Sequence, residues 1–237
     1  LLVLLPLVER IMRALFNTGI EGQAEFVLHG SLVIGMIGGA IAAREGRLLG
    51  ISTLAQFLKG PWKLAADLVA NSWAALITGL LAFAGWQFLQ DERGAGNEIA
   101  YGVARWWIQA ILPFGFGLIA LRLIWRCGTE WWARCLCLAL VSLAGWGLWS
   151  GGIPVEGMRL PAIALLILAT VLGAPIYTAL GGATLLYLWQ EDFPLSGVAT
   201  SHYSMSTEAL IPTIPLFTLA GYFMAESQAS GRLVRVF

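Results

Sequence analysis

The sequence predicts an all-α integral membrane protein with about seven transmembrane helices, and three observations carry that prediction. Hydrophobic residues make up 58% of the 237 and charged residues only 12%, about half the ~25% charge of a soluble globular chain and too little to clothe a water-exposed surface. Uncharged runs recur at bilayer length, since about 20 residues at ~1.5 Å rise cover a hydrocarbon core of roughly 30 Å. Trp106, Trp107, Trp131, Trp132 and Trp189 lie at the ends of such runs, where indole rings favour the membrane interface.

The formal net charge is zero, with 14 basic and 14 acidic residues, and no cationic run points to nucleic acid as a partner. Cys127, Cys135 and Cys137 cluster around one loop and helix start without zinc or CxxC spacing. They read as free structural thiols. The chain opens without Met in an apolar stretch and stops at Phe237 just after a helix resumes, so both ends read as cuts. Leu1 to Val8 has its basic flank on the wrong side for a secretory signal and reads as the second half of a first crossing.

Glu9 and Arg13 fall four apart near the end of that segment, with the acid N-terminal, the better orientation for a helical ion pair. Their expected role is an interfacial anchor. The next crossing runs from Phe26 to Ala43, where Ser31, Gly35, Gly39 and Ala43 recur every fourth residue. That stripe of small side chains, with a GxxxG at its centre, suits close helix packing. His29 reads as a hydrogen-bonded packing residue, because no second ligand stands at metal spacing. After the basic loop 44–67, in which Leu54, Phe57, Leu58 and Trp62 are expected to form a short interfacial helix broken by Gly60-Pro61, a third crossing spans Leu68 to Gln90. Asp91 to Glu98 is a hydrophilic loop. A fourth crossing spans Trp106 to about Trp125, with a kink expected at Pro113.

From Cys135 to Val155 there is again no charge, which predicts a crossing that joins two unlike halves. Leu160 to Gln190 is expected to cross once, tilted, with breaks at Gly173, Pro175 and Gly181. Glu191 to Glu208 reads as a solvated polar loop. A shorter apolar segment from Ala209 to Ala225 comes next, entered through Pro212 and Pro215. With alternate loops grouped, Arg44, Arg47, Lys59, Lys63, Arg122, Arg126 and Arg134 on one side equal Arg10, Arg13, Arg93, Arg105, Arg159, Arg232 and Arg235 on the other. Charge counting alone therefore leaves the orientation tied. The concentration of charge in the first two loops favours placing them in the cytoplasm.

Several segments are similar to the tripartite ATP-independent periplasmic transporters, and to a fusion of their small (Q-type) and large (M-type) membrane subunits. The small subunit is resembled by Val8 to Asn17, by Ala24-Glu25 before a helix ending in Ala43-Arg44-Glu45-Gly46-Arg47, and by Ile111-Leu112-Pro113-Phe114-Gly115-Phe116. Leu48 and Leu49 stand where that family usually has His and Ile. The start of the large subunit is resembled by Leu172-Gly173-Ala174-Pro175-Ile176 and, most specifically, by Ile214 to Met224 with Gly231-Arg232-Leu233 after it.

This resemblance implies three parts: a small-subunit-like domain over 1–126, a connector over 127–159, and the incomplete start of the large subunit over 160–237. It implies sodium-coupled import of an organic anion, a dicarboxylate or sugar acid, delivered by a periplasmic binding protein across the bacterial inner membrane. Membrane lipids and the remainder of the large subunit are the other expected partners. The sodium and substrate ligands are expected beyond Phe237, so this chain itself holds no cofactor or metal. Two other classes stay open. A scaffold or assembly subunit would suit the stripe at Ser31 to Ala43. A small membrane enzyme would need its polar groups gathered at one depth, and His29, His202, Tyr203 and Glu208 are the isolated candidates.

Overall fold

The computed structural model describes residues 4–50, 57–128, 131–149, 155–191, 193–208, 210–211 and 213–227. All regular elements among them are helices: α1 Leu4–Phe16, α2 Gln23–Glu45, α3 Pro61–Ala95, α4 Arg105–Gln109, α5 Ile111–Arg126, α6 Trp131–Trp149, α7 Val155–Val171, α8 Ile176–Gln190, α9 Ser196–Ser206 and α10 Thr213–Glu226. Among the described residues three stretches are long and apolar enough to cross a membrane: Gln23–Glu45, Trp62–Ala95 and Arg105–Arg126. Trp131–Gly147 and Leu160–Val171 are shorter apolar helices.

The long element is α3, whose 35 residues extend roughly 50 Å at helical rise. Pro61 starts it, where a missing N–H costs nothing, so Trp62 belongs to this helix and not to a separate interfacial one. Of the rest of that expected segment, 57–60 are not helical and 54–56 lie outside the described residues. At its other end α3 runs on through Asp91 to Ala95, and Gly96 stops it in the left-handed region at φ 66°. The hydrophilic stretch expected as loop is thus largely helix. It stays helical because its charges lie past the apolar core of the span and find partners just downstream: Glu92 accepts from Asn97 and meets Arg105 at 3.6 Å.

Helix directions are set by the contacts. Gly39 faces Ile119, Gly115 faces Met36, and Arg126 Nη1 donates to the Arg44 carbonyl, so α2 and α5 run parallel. Gly85 faces Pro113 while Ser72 lies 3.6 Å from Cys127, so α3 runs against both. The bundle therefore has an Arg44 end, where α2 and α5 finish, and a Gln109 end, where α5 begins. The expected kink in the fourth crossing is a break. Pro113 can neither donate to the Gln109 carbonyl nor tolerate its approach, and α4 and α5 part at Ala110.

The largest departure from expectation lies in 160–190. It is not one crossing but a hairpin of α7 and α8, turning at Leu172 to Pro175. Gly173 takes φ 110°, a conformation closed to side chains, and Pro175 caps the new helix. The turn is tied to the chain after α2, since Ile176 N donates to the Leu49 carbonyl at 2.9 Å and Gly50 bridges Pro175. Gly181 does not break α8. With Gly182 it lets the helix close on its neighbours: a Cβ would lie 3.2 Å from Leu81 at Gly181, and 2.7 Å from Leu166 at Gly182. Tyr177 meets Thr78 at 2.9 Å, so α8 runs parallel to α3 and returns the chain to the Gln109 end. There the expected polar loop folds as α9, because Val198 and Ala199 bury against the bundle.

The Gly85 contact sets the α3–α5 distance, for a Cβ there would stand 3.2 Å from the Pro113 nitrogen and 3.4 Å from its Cα. Gly85→Leu is expected to destabilise the purified protein by about 1–3 kcal/mol, read as a lower melting midpoint in detergent. Gly79→Ala, with open space around the new methyl, should not lower it.

Candidate functional site

At the Gln109 end, helical spacing of three and four brings polar side chains onto facing surfaces. One turn separates Glu25 from His29 on α2, Phe88 from Glu92 on α3, and Arg105 from Gln109 on α4. Tyr203 of α9 enters among them. His29 is 4% exposed and uses both ring nitrogens: Nδ1 lies 2.7 Å from the Glu25 carbonyl and Nε2 2.7 Å from the Tyr203 hydroxyl. A carbonyl only accepts, so Nδ1 carries the proton, and in the neutral ring Tyr203 donates to Nε2. The rings of His29 and Phe88 flank that of Tyr203, with centroids 5.7 and 5.5 Å away.

Around this bond lie groups with little access to solvent. Gln109 is fully buried, and its two amide atoms have no hydrogen-bond partner among the described residues. The same holds for Glu25 Oε2 and Arg105 Nε, although Arg105 Nη1 faces Glu92. Beside Tyr203 on α9, His202 packs edge-on to Phe116 at 5.3 Å. At 11 residues α9 is too short to cross a bilayer. Burial holds the His202 imidazole below its ordinary pKa and raises the Tyr203 hydroxyl above its own, so both are neutral at pH 7.

The four residues of the small stripe divide between two surroundings. Ala43 is 1% exposed and Gly39 sits against Ile119, both in the α2–α5 contact. Ser31 returns its hydroxyl to the Val27 carbonyl, and Gly35 has open space around it. Both line a groove of about 420 Å³ shared with His202, Met205 and Ser206 of α9. A second, larger cavity of about 620 Å³ lies between α3, α6, α7 and α8, lined by apolar residues such as Leu76, Leu80, Leu165 and Leu186. The Glu9–Arg13 pair closes at 2.7 Å on α1. Cys127 and Cys137 are free and buried beside Ser72, while Cys135 is exposed. Glu208 is exposed and its carboxylate has no partner among the described residues.

The matched family is described as "Tripartite ATP-independent periplasmic transporters, DctQ component", over residues 2–131. That is more than half the chain. The chain belongs to this family. No curated protein and no solved structure matched it. The DctQ match covers α1 to α5 and stops where α6 begins, while α7, α8 and α9 pack on the matched bundle from beyond the match. The His29–Tyr203 bond thus joins the DctQ region to a later segment, 174 residues away.

Sequence reading singled out His29, His202 and Tyr203 but had no means of pairing them, since nothing local encodes a contact at that separation. Gln109 was missed altogether. A lone Gln in an apolar helix carries no periodic signal, and only its burial marks it.

Tyr203→Phe removes the donor to His29 and leaves a buried ring nitrogen unpaired, an expected loss of about 1–3 kcal/mol. In a double-mutant cycle with His29→Ala, the coupling energy should reach at least about 0.5 kcal/mol. Additive melting shifts would show that the two side chains do not depend on each other.

Proposed function

We propose that this chain is the membrane component of a sodium-coupled secondary transporter in the bacterial inner membrane, importing an organic anion supplied by a periplasmic binding protein. The observation that carries this reading is the DctQ match over residues 2–131, continued by helices that seat on the matched bundle. In this reading 1–126 is the small subunit, 127–159 the connector and 160–237 the opening of the large subunit. The substrate is a dicarboxylate or sugar acid. Sodium is bound by the remainder of the large subunit, and membrane lipids surround the bundle.

Physical support for the fusion comes from α3 and α6. One side of α3 packs with α5 through Gly85 and Phe116, and another receives α8 at Gly181 and α9 at Tyr203. α6 leaves the Arg44 end beside Cys127, and its Ala144 and Gly145 line the larger cavity with Leu80 midway along α3, which supports reading it as a further crossing. That is the role of a topological adaptor: an added crossing that lets a second subunit start on the other side. In the proposed orientation the Arg44 end faces the cytoplasm, because its basic residues are concentrated in the segments 44–67 and 122–134.

A scaffold without transport chemistry of its own is the second reading, favoured by the open face at Gly35 and Gly38, where another helix could approach closely. Reconstituted vesicles separate the two. Uptake that needs both a sodium gradient and the cognate binding protein is expected from the complete transporter, and sodium-independent or binding-protein-independent uptake sinks the proposal. For the orientation, single cysteines at Gly96 and Lys59 in a cysteine-free background suffice. Gly96→Cys should react with an impermeant maleimide from the periplasm, and Lys59→Cys only after permeabilisation.

A further inference from the structure

The turn between α5 and α6 concentrates cations of an unusual kind: arginines held in place by neutral groups. The Arg134 guanidinium lies 5.0 Å over the Trp125 ring, and its Nε donates to the Gly128 carbonyl at 3.1 Å. Arg126 Nη1 donates to the Arg44 carbonyl at 3.2 Å, and its guanidinium lies over Gly46. Gly46 at φ 71° closes α2, with Arg47 N donating to the Ala42 carbonyl at 2.9 Å. A Cβ at Gly46 would collide with the Arg126 guanidinium. Arg122, one turn earlier on α5, is exposed and has no hydrogen bond or ion pair among the described residues.

None of these three arginines has a carboxylate within ion-pairing distance among the described residues, unlike Arg13 with Glu9 and Arg105 with Glu92. The turn carries one acid in sequence, Glu130, so the group keeps a net positive charge. Among the described residues, backbone and aromatic partners fix the forks without neutralising them, and most of their N–H donors have no partner there. A planar, pre-positioned guanidinium with spare donors is matched to phosphate oxygens.

The surroundings indicate where that phosphate comes from. Trp125, Trp131 and Trp132 are 65%, 79% and 53% exposed, and below them Phe114, Leu118 and Leu121 form the outward apolar face of α5. Indoles at the rim of an apolar helix face mark the headgroup level of a bilayer. A soluble anion would have no use for the apolar face, whereas a phospholipid engages both parts at once.

We propose that the end of α5 and the start of α6 form a binding site for an anionic phospholipid, whose phosphate is held by Arg122, Arg126 and Arg134 and whose acyl chains lie along Phe114, Leu118 and Leu121. It deepens the proposed orientation, since anionic lipid is the attraction that draws basic juxtamembrane segments to the cytoplasmic leaflet. It also gives the Arg44 end a fixed depth independent of any transported substrate.

The test uses the purified chain in a neutral detergent, titrated with phosphatidylglycerol, with phosphatidylcholine, or with inorganic phosphate, and followed by thermal melting and by lipid retention in native mass spectrometry. Phosphatidylglycerol alone is expected to raise the melting midpoint and to remain bound. Arg122→Gln, which breaks no described contact, should weaken that binding about five-fold, the equivalent of about 1 kcal/mol for one surface arginine. Arg134→Gln, which also gives up the Trp125 and Gly128 contacts, should weaken binding as well, measured against that variant's own midpoint in phosphatidylcholine. An equal shift with phosphatidylcholine, an equal shift with inorganic phosphate, or undiminished binding by Arg122→Gln would overturn the proposal. These readouts involve no uptake, so they stand apart from the transport reading.

Discussion

The fold depends on how closely α3 can be approached. Its Gly85 meets Pro113 with no side chain between, and buried alanines at Ala70, Ala74, Ala75 and Ala84 keep the same helix thin along its length. In a bilayer there is no gain from hiding apolar surface from lipid, so helices associate where small residues let backbones come near and dispersion contacts accumulate. A helix thin on more than one side can serve as a shared wall. α5 uses one side, and α8 and α9 use the other, with the glycines Gly181 and Gly182 contributing the matching thinness on α8.

Polar side chains then select which of the possible close packings is adopted. Thr78 bonds its own Ala74 carbonyl and also Tyr177, fixing where α8 starts against α3. His29 and Tyr203 fix where α9 sits against α2. Each bond is individually modest, but the alternative registers would leave the same groups unpaired in a poor solvent for them. The hairpin turn adds a backbone tie at Leu49 and Ile176. These contacts together locate the later helices on the DctQ bundle more narrowly than apolar packing could.

Much of this was legible beforehand. The crossings at α2, α3 and the α4–α5 pair are implied by uncharged runs of bilayer length, and the membrane class by composition. The departures have one common cause. Length alone cannot distinguish a tilted crossing from two short helices folded back, and residues 160–190 satisfy both descriptions until Gly173, at φ 110°, and Pro175 are seen to reverse the chain. The polar segment after it was legible as hydrophilic but not as helical. Val198 and Ala199 supply its apolar contacts only when α3 is beside them.

The sequence by itself determined the solvent of this protein, its helical class and its DctQ kinship, because hydropathy and local motifs are properties of neighbouring residues. The tertiary structure alone decided which helices run parallel, that Gly181 packs instead of breaking, that His29 and Tyr203 meet, and that Arg126 lies against the end of α2. Those outcomes depend on distances between segments up to 174 residues apart, and such distances are set by packing geometry that no local pattern encodes.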